Sequence, residues 1–160
     1  MPENQNSATD GMNYCVVIPS KTISNLLPCI DAIRANEPGV PIVVVDDGLD
    51  LSQRPESTKD EWNPPVQSIQ GEKPFVFARN VNLGIRCAIA LNPDVDGFAL
   101  CNDDALIQSP NGFSVMAQAC KDHPEYGIIG ATCNNVGNPN QFPRGVGLRD
   151  ESRMVCFVAV

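Results

Sequence analysis

The sequence is poor in histidine, the side chain enzymes use most often for acid–base work. Its only histidine is His123, near the expected end of a helix, which argues against a Ser–His–Asp triad and leaves no histidine-rich metal site. No G-x-S-x-G elbow and no G-x-x-x-x-G-K-[ST] loop is present, so α/β-hydrolase and P-loop chemistry have no anchor. No G-x-G-x-x-G follows the first apolar run, which argues against a dinucleotide-binding Rossmann domain. The seven cysteines, at 15, 29, 87, 101, 120, 133 and 156, form no C-x-x-C pair, so neither a zinc site nor a thioredoxin motif is written here. Basic residues are few, 11 against 19 acidic, giving a net charge of -8. That balance repels nucleic-acid phosphates and anionic lipid, and neither is an expected partner. No apolar stretch approaches the roughly 18 residues that span a bilayer. The polar residues 1–13 have no signal-peptide core, and no N-x-S/T sequon occurs.

These absences leave a chain of 160 residues with an ordinary 42% hydrophobic content, read as one domain over 14–160 after a disordered lead-in, 1–13. Most cysteines sit inside apolar runs such as Cys15-Val16-Val17-Ile18. They read as reduced, buried thiols, which fits a cytoplasmic location.

Short apolar runs alternate with helical patterns. Tyr14 to Ile18, stopped by Pro19, and Pro41 to Val45, stopped by Asp46-Asp47-Gly48, read as strands. So do Gly97 to Cys101, Gly127 to Ala131, Met154 to Val160 and, more weakly, Val66 to Ile69. Ser24 is the expected N-cap of a helix with Leu26, Leu27, Ile30 and Ile33 on one face. A second helix is expected from about Ala78, with Val81, Ile85, Ala88 and Ile89 inward. A third is expected to open at Ser109-Pro110, with Phe113, Met116, Ala117 and Cys120 inward. His123 falls at its end, where it meets the last carbonyls. Residues 50–65 and 133–150 read as loops. Continuous Val/Ile runs are the mark of strands buried on both faces, so the fold class is α/β, a mostly parallel sheet flanked by helices.

In open α/β sheets, ligands bind beyond the carboxyl ends of the strands. Two runs end there in paired acids, Asp46-Asp47 and Asn102-Asp103-Asp104. Asp-Asp-Gly also makes a common turn, and each pair alone is compatible with that. Together at one rim they repel one another unless a cation offsets them. Oxygen ligands without histidine suit Mg²⁺ or Mn²⁺, which lets an acidic protein hold a diphosphate.

In order, the segments Val17-Ile18-Pro19-Ser20, Val44-Val45-Asp46-Asp47-Gly48, Ala78-Arg79-Asn80-Val81-Asn82-Leu83-Gly84-Ile85, Leu100-Cys101-Asn102-Asp103-Asp104-Ala105 and Tyr126-Gly127-Ile128-Ile129-Gly130 resemble the N-terminal, nucleotide-binding part of family 2 glycosyltransferases. The resemblance spans Tyr14 to Ala131. It implies a GT-A fold and transfer of a sugar from a UDP- or GDP-type donor to a glycan or other hydroxyl acceptor. By resemblance, Pro19 and Ser20 line the nucleotide pocket, and Asp46 or Asp47 meets the base or ribose. Arg79 and Asn80 face the diphosphate or sugar. Asn102, Asp103 and Asp104 flank ribose and metal, with Asp104 the leading metal ligand and Asn102 beside it. Asn102 departs from the family pattern, which often has an acid there, and a neutral amide binds a cation less strongly.

The general base that such a transfer needs usually lies further downstream in this family. Asp150 and Glu151 are the only late acids, in an expected surface loop, and the catalytic residue stays unassigned. The chain ends within an apolar run, read as a truncation that leaves the acceptor half missing and the last strand an exposed edge. Two alternatives stand beside the transferase. One is a nucleotide-sugar-binding module without turnover. The other is a sugar nucleotidyltransferase, for which Ser20-Lys21-Thr22 supplies the lysine but not the usual glycines.

Overall fold

The computed structural model describes residues 12–49, 65–131 and 155–159, the last of these as backbone. Expectations for 1–11, 50–64 and 132–154, Asp150 and Glu151 among them, lie outside the described residues.

The first apolar run becomes β1 (Tyr14–Ser20) and is followed by α1 (Ile23–Asn36) and β2 (Ile42–Asp46). Next come β3 (Gln67–Gln70), α2 (Phe77–Leu91), β4 (Gly97–Cys101), α3 (Gly112–Asp122), β5 (Ile128–Gly130) and β6 (Val155–Ala159). They build one six-stranded sheet in the order β3-β2-β1-β4-β6-β5. Strands β3, β2, β1 and β4 pair in parallel, and β6 is antiparallel to both β4 and β5.

Successive strand residues point to opposite faces, and both faces here are apolar. Val16, Ile18, Ile42, Val44 and Ala99 pack with Ile23, Leu26, Ile30 and Ile33 of α1 and with Phe113, Ala117 and Cys120 of α3. Cys15, Val17, Val43, Val45 and Phe98 pack on the other face with Ala88 of α2. Burial of this kind contributes about 1.5–3 kcal/mol per large aliphatic side chain. The continuous Val runs are therefore what two helical layers require. Gly84 lets α2 approach the sheet closely: a Cβ there would lie 2.5 Å from Val17 Cγ1 and 2.9 Å from Val45 Cγ2.

Three local expectations change. Helix α1 is capped by Thr22, not Ser24, which lies within its first turn. Helix α3 begins after Asn111, not at Ser109-Pro110. There the Gly112 N–H donates to the Ser109 carbonyl (3.1 Å), and Asn111 adopts the left-handed conformation (φ 56°) that asparagine tolerates. Ser109 thus opens a turn ahead of the helix. Strand β6 is no edge: it lies between β4 and β5 and pairs with both. An unbroken apolar run is suited to that interior place. Among the described residues no helix is long and apolar enough to cross a membrane.

Candidate functional site

The parallel strands β2, β1 and β4 deliver Asp46-Asp47, Ser20 and Asn102-Asp103-Asp104 to one rim. The two acidic ends belong to strands that are not adjacent in the sheet. In the fold β1 lies between them and joins them. The Ser20 hydroxyl donates to Asp103 Oδ2 at 2.8 Å, and the Ser20 carbonyl accepts from the Asp47 N–H at 2.7 Å. Ser20 is only 3% exposed, so the contact is held without much competition from water. Pro19, one residue back in β1, is partly buried beside Val45.

The two aspartates after β2 are engaged differently. Asp46 Oδ1 accepts from the Gly48 N–H (2.7 Å) and the Leu49 N–H (2.6 Å). This is a side-chain-closed turn, with Gly48 at φ 99°, a conformation glycine supplies without strain. Asp47 is nearly buried, and its carboxylate is paired with Lys73. The Lys73 ammonium also donates to the Asp47 carbonyl at 2.7 Å. A continuous polar seam therefore runs Lys73–Asp47–Ser20–Asp103 across the ends of three strands.

Lys73 is held in place by the segment after β3. The Gly71 N–H donates to the Asp46 carbonyl at 2.8 Å. A Cβ at Gly71 would meet that same oxygen at 2.8 Å and Asn80 Oδ1 at 3.0 Å, so the approach needs glycine. Asn80 completes the tie: its Oδ1 accepts from the Glu72 N–H (2.7 Å) and its Nδ2 donates to the Glu72 carbonyl (3.3 Å). Asn80 is fully buried. By resemblance, the Arg79-Asn80 stretch is expected to face the diphosphate or sugar. In the structure the Asn80 amide bonds the backbone of the neighbouring loop. Arg79, next to it, is exposed at the rim, with Nε 3.5 Å from Glu72 Oε2.

Beyond β4, Asn102, Asp103 and Asp104 are partly buried. The Asn102 carbonyl accepts from the Ala105 N–H at 3.1 Å and from the Cys29 thiol at 3.5 Å. The turn is thus fixed from below by α1. Cys29 and Cys101 lie 3.9 Å apart at sulfur, both buried. Their shared hydrogen bond and burial hold the Cys101 thiol well above its ordinary pKa. Burial likewise pushes the Cys15 thiol up to about 12. Such thiols stay protonated and unreactive, and the described cysteines 15, 29, 87, 101 and 120 are free of disulfides. His123 caps α3, its backbone N–H donating to the Ala119 carbonyl at 3.0 Å, while its ring faces Glu125 at 3.2 Å.

Among the described residues, no three His, Cys, Asp or Glu side chains gather as a metal-holding group. They form no all-protein cage. Mg²⁺ is commonly held by one or two carboxylates together with substrate phosphates. Asp104 and Asn102, with Asp103 beside them, are the partly buried oxygen-bearing groups that could share such an ion with a substrate. An apolar cavity of about 220 Å³, lined by Tyr14, Pro41, Ala88 and Leu91 among others, lies at the opposite end of the strands and includes none of the candidate residues.

No family model matches the sequence, and no curated protein matches it. The fold does match solved structures. It aligns with 4-diphosphocytidyl-2C-methyl-D-erythritol synthase from Anaerococcus prevotii at a TM-score of 0.60 and 11% identity, covering 94% of this chain and 72% of that one. It aligns with residues 1–349 of TarS from S. aureus at 0.57 and 15% identity, covering 86% and 39%. A CMP:2-keto-3-deoxy-manno-octonic acid synthetase in complex with CTP aligns at 0.53 and 10% identity, covering 92% and 74%. The architecture shared with these structures is GT-A-like, a mostly parallel sheet flanked by helices. At these identities the GT-A-like match defines architecture alone, and the chain spans well under half of the TarS structure.

Lys73 and Gly71 carry no role that the sequence marks. They follow the weak strand β3, and Lys73 meets its partner 26 residues away. The available signal is a glycine and a lysine immediately after a strand of a parallel sheet, where its carboxyl end points at the rim.

Proposed function

We propose that this chain is the donor-binding part of a glycosyltransferase resembling family 2, which transfers a sugar from a UDP- or GDP-type donor to a hydroxyl acceptor. The observation that carries the reading is the seam at the strand ends, where Ser20 joins Asp103 to the Asp47–Lys73 pair. It supplies fixed acceptors for ribose hydroxyls and a cation near an expected diphosphate, beyond the carboxyl ends of parallel strands, where open α/β sheets bind their ligands. The GT-A-like fold supports the same reading.

In this proposal Pro19 and Ser20 form the floor beneath the nucleotide. Asp46 keeps its second carboxylate oxygen for the base or ribose, since Oδ1 is committed to the turn. Arg79 offers a forked donor to phosphate oxygens. Asp104, with Asp103 and Asn102, would hold Mg²⁺ or Mn²⁺. The ion would supply charge neutralisation on the departing nucleoside diphosphate. The protein's own part is to orient the donor and keep its phosphates in register with these carboxylates. The buried, reduced thiols favour a cytoplasmic setting.

The exposed Lys21, directly after Ser20, favours a second reading, a nucleotidyltransferase that takes a nucleoside triphosphate. An assay of donor turnover separates the two. Release of sugar from UDP- or GDP-sugars that depends on Mn²⁺ supports the transferase. Release of pyrophosphate from a nucleoside triphosphate and a sugar phosphate supports the alternative. Nucleotide binding with neither release indicates a binding module without turnover.

A further inference from the structure

The acidic rim has to accept an anion if it binds a donor, and one side chain is placed to make that possible. Lys73 Nζ donates to both the carbonyl and the carboxylate of Asp47. An ammonium carries three N–H donors, and the third has no partner among the described residues. The pair is lopsided: the Lys73 side chain is 57% exposed and that of Asp47 9%. The carboxylate is inside and the cation faces out. The loop that carries Lys73 is fixed by the Gly71–Asp46 and Asn80–Glu72 bonds, so little freedom is left to lose when a ligand arrives.

We propose that Lys73 is a phosphate-binding residue of the site, using two donors to hold Asp47 and presenting the third to an anionic phosphate oxygen of a nucleoside diphosphate. The assignment rests on the nucleotide-binding reading above and adds to it a second protein cation beside Arg79. Binding through Lys73 persists in part when divalent ions are chelated. The neighbouring cation, Arg79, is engaged with Glu72 at 3.5 Å. Lys73 is bonded directly into the seam that ends at Asp103.

Removing Lys73 alone would strand a nearly buried carboxylate, which is strongly destabilising. The comparison is therefore made between Asp47→Asn and Asp47→Asn/Lys73→Met, both checked for folding by thermal melting. Each is titrated calorimetrically with UDP, GDP, uridine and guanosine, with EDTA present. A charge-assisted hydrogen bond to phosphate is worth roughly tenfold or more in affinity. The double variant is expected to bind the better nucleoside diphosphate about tenfold more weakly than Asp47→Asn. The matching nucleoside should bind both equally. The gap should narrow as NaCl is raised. Equal affinities of the two variants for the diphosphate, or equal weakening for the nucleoside, would overturn the Lys73 assignment and leave the nucleotide reading standing. Failure of the wild-type chain to bind either diphosphate, with or without Mn²⁺, would overturn both.

Discussion

Replacing Asn80 with alanine separates a structural role from a ligand-binding one. The side chain is fully buried and makes two bonds to the Glu72 backbone, at 2.7 and 3.3 Å. A hydrogen bond contributes about 0.5–1.5 kcal/mol net, and a buried group left without a partner costs about 1–3 kcal/mol. The shorter bond satisfies the Glu72 N–H and dominates; the longer one adds little. Asn80→Ala should therefore lose about 2–3 kcal/mol of stability. For a domain of this size that lowers the melting temperature by roughly 4–12 °C. Circular dichroism melts and urea titrations of the two proteins provide the measurement. The loss should be present without any nucleotide. A variant that melts like the wild type, and shows its defect only in nucleotide affinity, would refute the structural assignment and return Asn80 to the ligand.

Gly84→Ala gains helix propensity of up to about 1 kcal/mol, but its Cβ would press within 2.5 Å of Val17 Cγ1 in the fully buried core. Overpacking costs typically about 1–3 kcal/mol, so net destabilisation in a urea titration is expected, and an unchanged midpoint would contradict the close α2–sheet contact. Alkaline pH should also destabilise the fold. Burial raises the Cys15 thiol and the Tyr14 phenol to about 12, so the folded state keeps protons that the unfolded state gives up. That stability is fully present below the ordinary thiol pKa, about 8.5, and is lost as pH rises toward the folded values. Melting temperatures across pH 8 to 11 should fall, and Cys15→Ala should make the fall shallower; a flat profile would contradict the burial assigned to these groups.

The parallel part of the sheet is legible because Val16-Val17-Ile18 and Ile42-Val43-Val44-Val45 form runs that only double burial explains. The place of β6 is not, since an apolar run of five residues says nothing about direction, and its antiparallel pairing with β4 and β5 is set by tertiary packing. The start of α3 shifts because Ser109 closes a backbone-bonded turn with Gly112 and the helix begins only after Asn111. At the site, Asp46, Asp47 and Asp103 announce themselves as acids after strands. Their division of labour does not, because it depends on Ser20 and Lys73, which lie 83 and 26 residues from their partners. Asn80 is the instructive case: the sequence marks its place, but its two bonds to Glu72 are visible only in the fold.

The central claim is that the rim formed by β1, β2 and β4 binds a nucleoside diphosphate through its carboxylates and a divalent ion. Calorimetric titration of UDP and GDP, with and without Mn²⁺ and with NAD as control, tests it most directly when repeated on Asp104→Ala. One of the two diphosphates should bind, Mn²⁺ should strengthen the binding, and Asp104→Ala should remove the strengthening while the protein stays folded. A folded wild-type chain that binds neither nucleotide, or binds NAD equally well, would contradict it.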